Sequence, residues 1–253
     1  MTEARYAALY ELSDTHWWCQ GMQHLTHAML EPLNDEATPT RMLDAGCGAG
    51  VTVAWPHDHA QSVGLDLSMQ ALNTSHMCGV SRLVAGSIER LPFEDRSFDL
   101  VTALDVLYHA GIGDNRQALA DIWRVLRPGG WLLVRLPAYS WLRGPHDAVM
   151  GTRRRFTTRS AEKLLTDACF EVQRTTYANM CLFPLEAGWR LIRRLFTRQG
   201  EYHHARGDLF STPARLNRLL AGILKSEKHL VRRVNLPCGL SIFCLARKPA
   251  IDN

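Results

Sequence analysis

Several absences narrow the reading of this 253-residue chain before any motif does. No C-x-x-C pair occurs among the seven cysteines, Cys19, Cys47, Cys78, Cys169, Cys181, Cys238 and Cys244. An odd, scattered set of this kind argues against a structural zinc site or a secreted disulfide scaffold, and no metal is expected. Reduced thiols in the cytoplasm are the simpler expectation. No apolar run reaches the roughly 20 residues that a membrane-spanning helix needs. The opening residues, MTEARYAALYEL, carry early acidic residues and no continuous apolar stretch, so no secretory leader is expected. There is no repeat and no low-complexity tract. A large excess of one charge is also missing. The formal net charge of +4 hints at acidic ligands or an anionic surface but marks no nucleic-acid partner.

What is present is an ordinary globular composition, with 46% apolar residues. A chain of this length buries a large core without disulfides and fits one α/β domain with additions. Residues 1–33 read as helical, with aromatics and histidines interleaved, and a break follows at Asn34–Thr40 around Pro39. From Arg41 short apolar strands alternate with helical stretches. The expected strands are Arg41–Ala45, Gln61–Asp66, Arg82–Ala85, Phe98–Leu104 and Trp131–Leu136. The helix Asn115–Leu126 should stop at Pro128-Gly129-Gly130, just before the last of them. This alternation implies βαβ units and a parallel sheet, with ligands at the C-terminal ends of the strands. Beyond Pro137 come a basic loop, a helix near Thr158–Ala168, a strand near Phe170–Tyr177, two amphipathic helices and a final strand at Leu240–Ala246.

The strongest motif is Leu43-Asp44-Ala45-Gly46-Cys47-Gly48-Ala49-Gly50, directly after the first strand. Glycines are required where a backbone turns tightly and approaches a ligand without a Cβ in the way. The spacing is G-x-G-x-G, which disfavours a nucleotide-dependent oxidoreductase with G-x-G-x-x-G. Taken alone the motif also suits a tight turn without ligand. Asp66 closes the second strand about 20 residues on, the spacing at which a carboxylate reaches both ribose hydroxyls. A lone strand-end Asp serves equally well as a helix cap.

These residues, with four further blocks in order, resemble the class I S-adenosylmethionine-dependent methyltransferases over about half the chain, Arg41 to Pro137. Asp44–Gly50 is similar to the family's first motif, and Asp66 to its ribose-binding acid. Gly86-Ser87-Ile88-Glu89-Arg90-Leu91-Pro92-Phe93 resembles the adenine-side loop. Phe98–Val101 with Asp105–His109 resembles the fourth strand and the helix it enters. Arg124–Gly130 resembles the turn into the fifth strand. The resemblance implies a cofactor set of Asp44, Gly46, Cys47, Gly48, Gly50, Asp66, Leu67, Ser87, Ile88 and Leu104. It implies S-adenosylmethionine as methyl donor and S-adenosylhomocysteine as product. Two departures stand out. Ser87 replaces the usual Asp that bonds the adenine amino group, and its hydroxyl is a weaker acceptor. The segment between Gly50 and Val63 is short and contains Pro56, which predicts a truncated first helix.

On the acceptor side, His16-Trp17-Trp18 resembles an H-W-W element ahead of the core in one bacterial subgroup, where the N-terminal helix covers the cofactor. An aromatic staple on the sheet edge is the plainer account; a wall beside a sulfonium would gain from cation–π attraction. The subgroup resemblance extends to His146-Asp147 and to Arg153-Arg154-Arg155-Phe156. Arg154 or Arg155 can clamp an acidic acceptor through a bidentate fork, or the loop is simply solvated. His109 is the first candidate for a general base, His146 the second and His16 the third, although methyl transfer needs no strong base when alignment does the work. In Pro184–Arg198, Leu185, Trp189, Ile192 and Leu195 share one face and Arg190, Arg193, Arg194 and Arg198 the other. That describes either a cap helix packed on the core or a helix in contact with anionic lipid.

The expected architecture is therefore a Rossmann-like, seven-stranded, mostly parallel α/β sheet with helices on both faces, an N-terminal helical lid (1–40) and a core (41–182). A helical cap insertion (183–239) and the last strand with the C-terminus (240–253) complete it, and that strand should pair antiparallel. The acceptor expected is a small or lipid-linked molecule with an oxygen, nitrogen or carbon nucleophile. A non-catalytic adenosylmethionine-binding partner or regulatory protein is the alternative.

Overall fold

The computed structural model describes residues 15–33, 39–48, 50, 52, 61–77, 79–144, 147–148, 150–196 and 212–250, with the backbone alone for 191–196. Seven strands form one sheet: β1 (Arg41–Ala45), β2 (Gln61–Asp66), β3 (Leu83–Ala85), β4 (Phe98–Leu104), β5 (Leu126–Pro137), β6 (Glu171–Ala178) and β7 (Ser241–Arg247). Their order is β3-β2-β1-β4-β5-β7-β6. All pairs from β3 to β5 are parallel, and β7 runs antiparallel to both its neighbours. The strand order reverses between β1 and β4, so the crevice for a ligand lies at their C-terminal ends. Because β7 alone is reversed, β6 ends on the same edge as β1, β4 and β5.

The expected strands form within one residue of where expected, with one larger difference. β5 begins at Leu126 rather than at Trp131. Leu126 pairs with Phe98, and the register then slips before Leu100 meets Trp131. Pro128-Gly129-Gly130 thus lies within the strand as an irregularity instead of separating helix from strand. Gly129 adopts φ 78°, and its N–H donates to Lys248 O at 3.0 Å. The Lys248 ammonium in turn donates to Trp123 O and Leu126 O, both at 3.0 Å, satisfying carbonyls at the end of the preceding helix.

Six helices are described: α1 (Trp17–Leu30), α2 (Met69–Met77), α3 (Asn115–Val125), α4 (Thr158–Thr166), α5 (Phe183–Phe196) and α6 (Ala214–Val231). α4 starts at a capping box in which Thr157 and Ser160 exchange side-chain and backbone bonds. The core fills between helices and sheet, with Leu100, Val101, Leu132, Leu133, Val134, Ile122 and Phe243 all fully buried. α1 and α6 lie together. Asn217 of α6 accepts from Trp17 N–H at 2.9 Å and donates to Thr15 O at 2.7 Å. A Cβ on Gly21 would stand 2.4 Å from the Leu224 side chain, so α1 carries glycine where α6 crosses closest. The expected first helix after Gly50, including Pro56, lies outside the described residues.

Candidate functional site

The turn after β1 is pinned from below. Gly46 and Cys47 both donate to Leu65 O, at 2.7 and 2.9 Å, and Gly50 N–H donates to Cys47 O at 2.9 Å. Gly46, Gly48 and Gly50 all have positive φ, at 86°, 54° and 77°. Their reasons for being glycine differ. A Cβ on Gly46 would meet Val106 at 2.6 Å, and one on Gly50 would meet Ser75 Oγ at 2.8 Å. Among the described residues, a Cβ on Gly48 would meet nothing within 4 Å. The outer two glycines are required by packing, whereas Gly48 presents bare backbone that no described residue covers.

Asp66, at the end of β2, stands beside this opening. Its Oδ2 accepts from Gly48 N–H and its Oδ1 from Ser68 N–H, both at 2.8 Å. The carboxylate is therefore fixed against the glycine turn, with one lone pair left on each oxygen for a further donor. Leu67 follows it and is 71% exposed, an apolar side chain with no core to cover. Ile88 is buried and Leu104 is half-buried against the core. Ser87 Oγ accepts from Glu89 N–H at 3.2 Å, holding the turn in which it sits. Asp44 lies under the turn, buried, and accepts from Thr102 Oγ1 at 2.7 Å. Burial raises its pKa to about 6 against that bond. Burial next to Asp44 and Asp66 pushes the Cys47 thiol up, so it stays protonated.

Two of the remaining sequence blocks hold the frame. Arg124 donates to Leu91 O, Phe93 O and Asp95, at 2.8–2.9 Å, and to Asp121, fastening the loop after β3 to α3. Arg127 pairs with Asp99 at 2.6 Å on the opposite edge of the sheet, where Thr40 and Arg41 also donate to that carboxylate.

Beyond β4 and β5 the residues expected to face an acceptor have partners of their own. His16 caps α1, its Nδ1 accepting from Trp18 N–H at 3.3 Å. Burial lowers its pKa and so keeps the capping nitrogen unprotonated. Trp17 lies beside His16 at 5.5 Å, and Trp18 covers the Arg135 guanidinium at 5.3 Å. His109 is exposed and its Nδ1 accepts from Gly111 N–H at 3.0 Å. The loop around Gly151 crosses it, with Ala110 and Arg153 bonded across the two segments. A Cβ on Gly151 would lie 2.7 Å from His109 Nε2. His146 lies outside the described residues. Arg155 forks onto Asp147 at 2.7 and 3.2 Å and donates to Ala138 O at 2.8 Å. Asp147 also accepts from Gly144 N–H at 2.8 Å. Arg154 is exposed and lies over the Phe156 ring at 5.1 Å. On the apolar face of α5, Leu185 and Trp189 are 72% and 58% exposed, while Arg190 turns inward to Glu186 and Leu142 O.

Sequence reading missed several residues here. Arg135 and Asp105 form a half-buried ion pair at 2.8 Å across the ends of β5 and β4. Tyr139, just after β5, stacks with Trp141 and Tyr177, and Phe183 meets Tyr139 and Trp141 at an angle. Glu227 of α6 is buried and accepts from Asn179 and Cys181 N–H, at 2.6 and 3.0 Å. The aromatic pair Tyr139 and Trp141 was within reach, since both follow the fifth strand directly. The ion pair was not, because its partners are 30 residues apart. Among the described residues no cluster has the ligands for a metal ion, and no helix is long and apolar enough to cross a membrane.

A parallel sheet with a reversed β7 and a glycine turn at the β1 end defines a Rossmann-like α/β domain. The comparisons agree over its central part. Residues 43–134 match the family model described as "Methyltransferase domain". Over 97 residues the chain is 39% identical to the malonyl-(acyl-carrier protein) O-methyltransferase of Pseudescherichia vulneris, covering 38% of each protein. Over 104 residues it is 36% identical to the O-methyltransferase rstn1 of Aspergillus nomiae, covering 37% of this chain and 45% of that one. The chain thus spans less than half the length of the curated relatives it matches. Among solved structures, a geranyl diphosphate methyltransferase in complex with GPP and sinefungin superposes with a TM-score of 0.56 at 15% identity, over 91% of this chain and 77% of that one. That likeness is one of fold.

Proposed function

We propose that this chain is an S-adenosylmethionine-dependent methyltransferase acting on a small-molecule acceptor. The observation that carries the reading is the bare backbone of Gly48 beside the fixed carboxylate of Asp66. A cradle that one Cβ would begin to fill, next to an acid with free lone pairs, fits the ribose and methionine portions of the cofactor. When bound, the cofactor supplies a methyl group already activated by a sulfonium.

The chain's own residues then have distinct tasks. Gly46, Gly48 and Gly50 bring backbone close to the ligand, and Asp66 accepts from the ribose hydroxyls. Leu67 and Ile88 offer apolar contact to the adenine, and Leu104 closes the side toward β4. Ser87 offers a weaker adenine contact than an aspartate would, because its hydroxyl is uncharged and already holds Glu89 N–H. Asp44 and Cys47 support the turn from beneath. Trp17 and Trp18 cover the site from the lid, and the Asp147–Arg155 pair frames the acceptor side. His109 is the first candidate to hold a proton leaving the acceptor. His16 and His146 come after it, and His16 is occupied in capping. Alignment and water exclusion carry most of the rate, since the methyl group arrives activated. A cytoplasmic location without nucleic-acid partners goes with this reading. A lipid-linked acceptor with peripheral contact to an anionic membrane is its second form, favoured by the outward Leu185 and Trp189.

The test is calorimetry with S-adenosylhomocysteine, followed by adenosylhomocysteine release with an acceptor panel. Binding with turnover supports the reading. Binding without turnover on any acceptor supports the non-catalytic alternative, and no binding removes both.

A further inference from the structure

Three strands of the ligand edge end in the same uncommon way. Asp105 after β4, Tyr139 after β5 and Asn179 after β6 have φ of 59°, 54° and 61°. Non-glycine residues held in the left-handed region persist only where the surroundings enforce them, and they gather at functional sites. Since β6 is parallel to β4 and β5, all three lie along one rim.

Three of the arginines near this rim are matched by carboxylates, while Arg153 donates to Ile112 O and Gly113 O and Arg154 lies over the Phe156 ring. Arg135 pairs with Asp105, Arg155 with Asp147, and Arg190 with Glu186 at 2.5 Å. The Arg155 and Asp147 side chains are 7% and 3% exposed, so neither is held ready for an ion from solution. The remaining surface is aromatic. Tyr139 stacks on Tyr177 at 5.1 Å and on Trp141 at 5.8 Å, and Phe183 meets Tyr139 and Trp141 at 5.5 and 6.1 Å. Trp141 remains 40% exposed. Two residues beyond Tyr177, the Asn179 side chain is fully buried, and neither its Oδ1 nor its Nδ2 has a hydrogen-bond partner among the described residues. Buried polar groups are nearly always paired, and one that is not calls for an explanation. A polar substituent on a ligand supplies the missing partner.

We infer that the acceptor is a neutral aromatic compound whose ring stacks against Trp141 and Phe183 and whose uncharged polar substituent is bonded by the Asn179 amide. This rests on the methyltransferase reading and gives its acceptor a chemical class. It replaces an acidic acceptor clamped by Arg155, whose fork Asp147 already fills, and assigns the exposed Arg154 to the Phe156 ring.

The experiment measures binding of four probes, 2-naphthol, 2-naphthoate, 2-methylnaphthalene and 1-decanol, by tryptophan fluorescence and calorimetry, with and without saturating S-adenosylhomocysteine. The expected result is that 2-naphthol binds about tenfold more tightly than 2-naphthoate or 1-decanol. Trp141→Ala should lose about tenfold in 2-naphthol affinity, the scale of one aromatic contact, with adenosylhomocysteine affinity unchanged. Asn179→Gly suits the positive φ and removes the amide; it should abolish the preference for 2-naphthol over 2-methylnaphthalene. Equal or tighter binding of 2-naphthoate, or tighter binding of 1-decanol, overturns the inference. So does a Trp141→Ala protein that binds 2-naphthol as the parent does. Failure of adenosylhomocysteine to bind counts against the methyltransferase reading instead, and the cofactor-free probe series still decides the aromatic site.

Discussion

The two halves of the ligand edge are built on different physics. At β1 and β2 the work is done by backbone: three left-handed glycines and one carboxylate held by two N–H groups. At β4, β5 and β6 it is done by side chains: the half-buried Arg135–Asp105 pair, the buried Arg155–Asp147 pair and stacked rings. A backbone cradle must keep its glycines, whatever the rest of the chain does. A side-chain wall can be rebuilt residue by residue. The first half accordingly lies within the stretch matched by the family model, residues 43–134, and most of the second lies outside it.

The largest effect that separates the halves should come from Arg155→Ala. It would leave Asp147 buried without its counter-charge, a loss of about 3–5 kcal/mol of stability. Thermal unfolding should show a fall of many degrees, while adenosylhomocysteine affinity of the folded fraction is unchanged. A Tm close to the parent's would mean that Asp147 is reached by water and the pair is not structural.

The complementary change on the backbone side is Gly48→Val. The branched side chain would enter the space left for the ligand, so adenosylhomocysteine affinity should fall beyond detection, by more than about 3 kcal/mol, against about 1–2 kcal/mol of stability for the left-handed backbone. Asp66→Ala should weaken the same ligand by about 1.5–3 kcal/mol, the range for hydrogen bonds to a charged group. Calorimetry that finds either variant unaffected, with its fold intact, would place the cofactor elsewhere.

A smaller effect distinguishes stability from binding within the backbone half. Asp44 has a folded pKa raised from 3.8 to about 6, so its contribution to stability is complete below 3.8 and is lost as pH rises through about 6. About two pKa units correspond to roughly 3 kcal/mol. Asp44→Asn should therefore raise Tm at pH 8 and change it little at pH 4. No difference between the two pH values would show that the carboxyl is not desolvated. His16 acts in the opposite sense and more weakly. Burial lowers its pKa, so the stability it contributes is present above about 6.5 and fades as pH falls below it. His16→Asn retains a capping oxygen and should remove that acid sensitivity.

The difference between the halves also explains what the sequence disclosed. Strand periodicity and the punctuation around Gly46–Gly50 and Asp66 are local, and they placed β1, β2 and β4 to the residue. The same local logic misjudged Pro128-Gly129-Gly130, because the pairing of Leu126 with Phe98 across the sheet overrode the turn chemistry. The three histidines drew attention by residue type, yet one caps a helix and another is fixed by Gly111 N–H. Arg155 looked available because its partner Asp147, eight residues earlier, was itself read as a binding residue. The Asp105–Arg135 pair and the Asn179 side chain, without a partner among the described residues, depend on which strand ends meet in space, and no spacing in the chain encodes that.

The central claim is that the open turn at Gly48, with Asp66 beside it, is the seat of the cofactor. The most direct test is to titrate S-adenosylhomocysteine into the parent protein and into Gly48→Val and Arg155→Ala under the same conditions. The account predicts saturable binding to the parent, none to Gly48→Val, and parent-like affinity for the folded fraction of Arg155→Ala. Parent-like binding by Gly48→Val, or loss of binding by a folded Arg155→Ala protein, would contradict it.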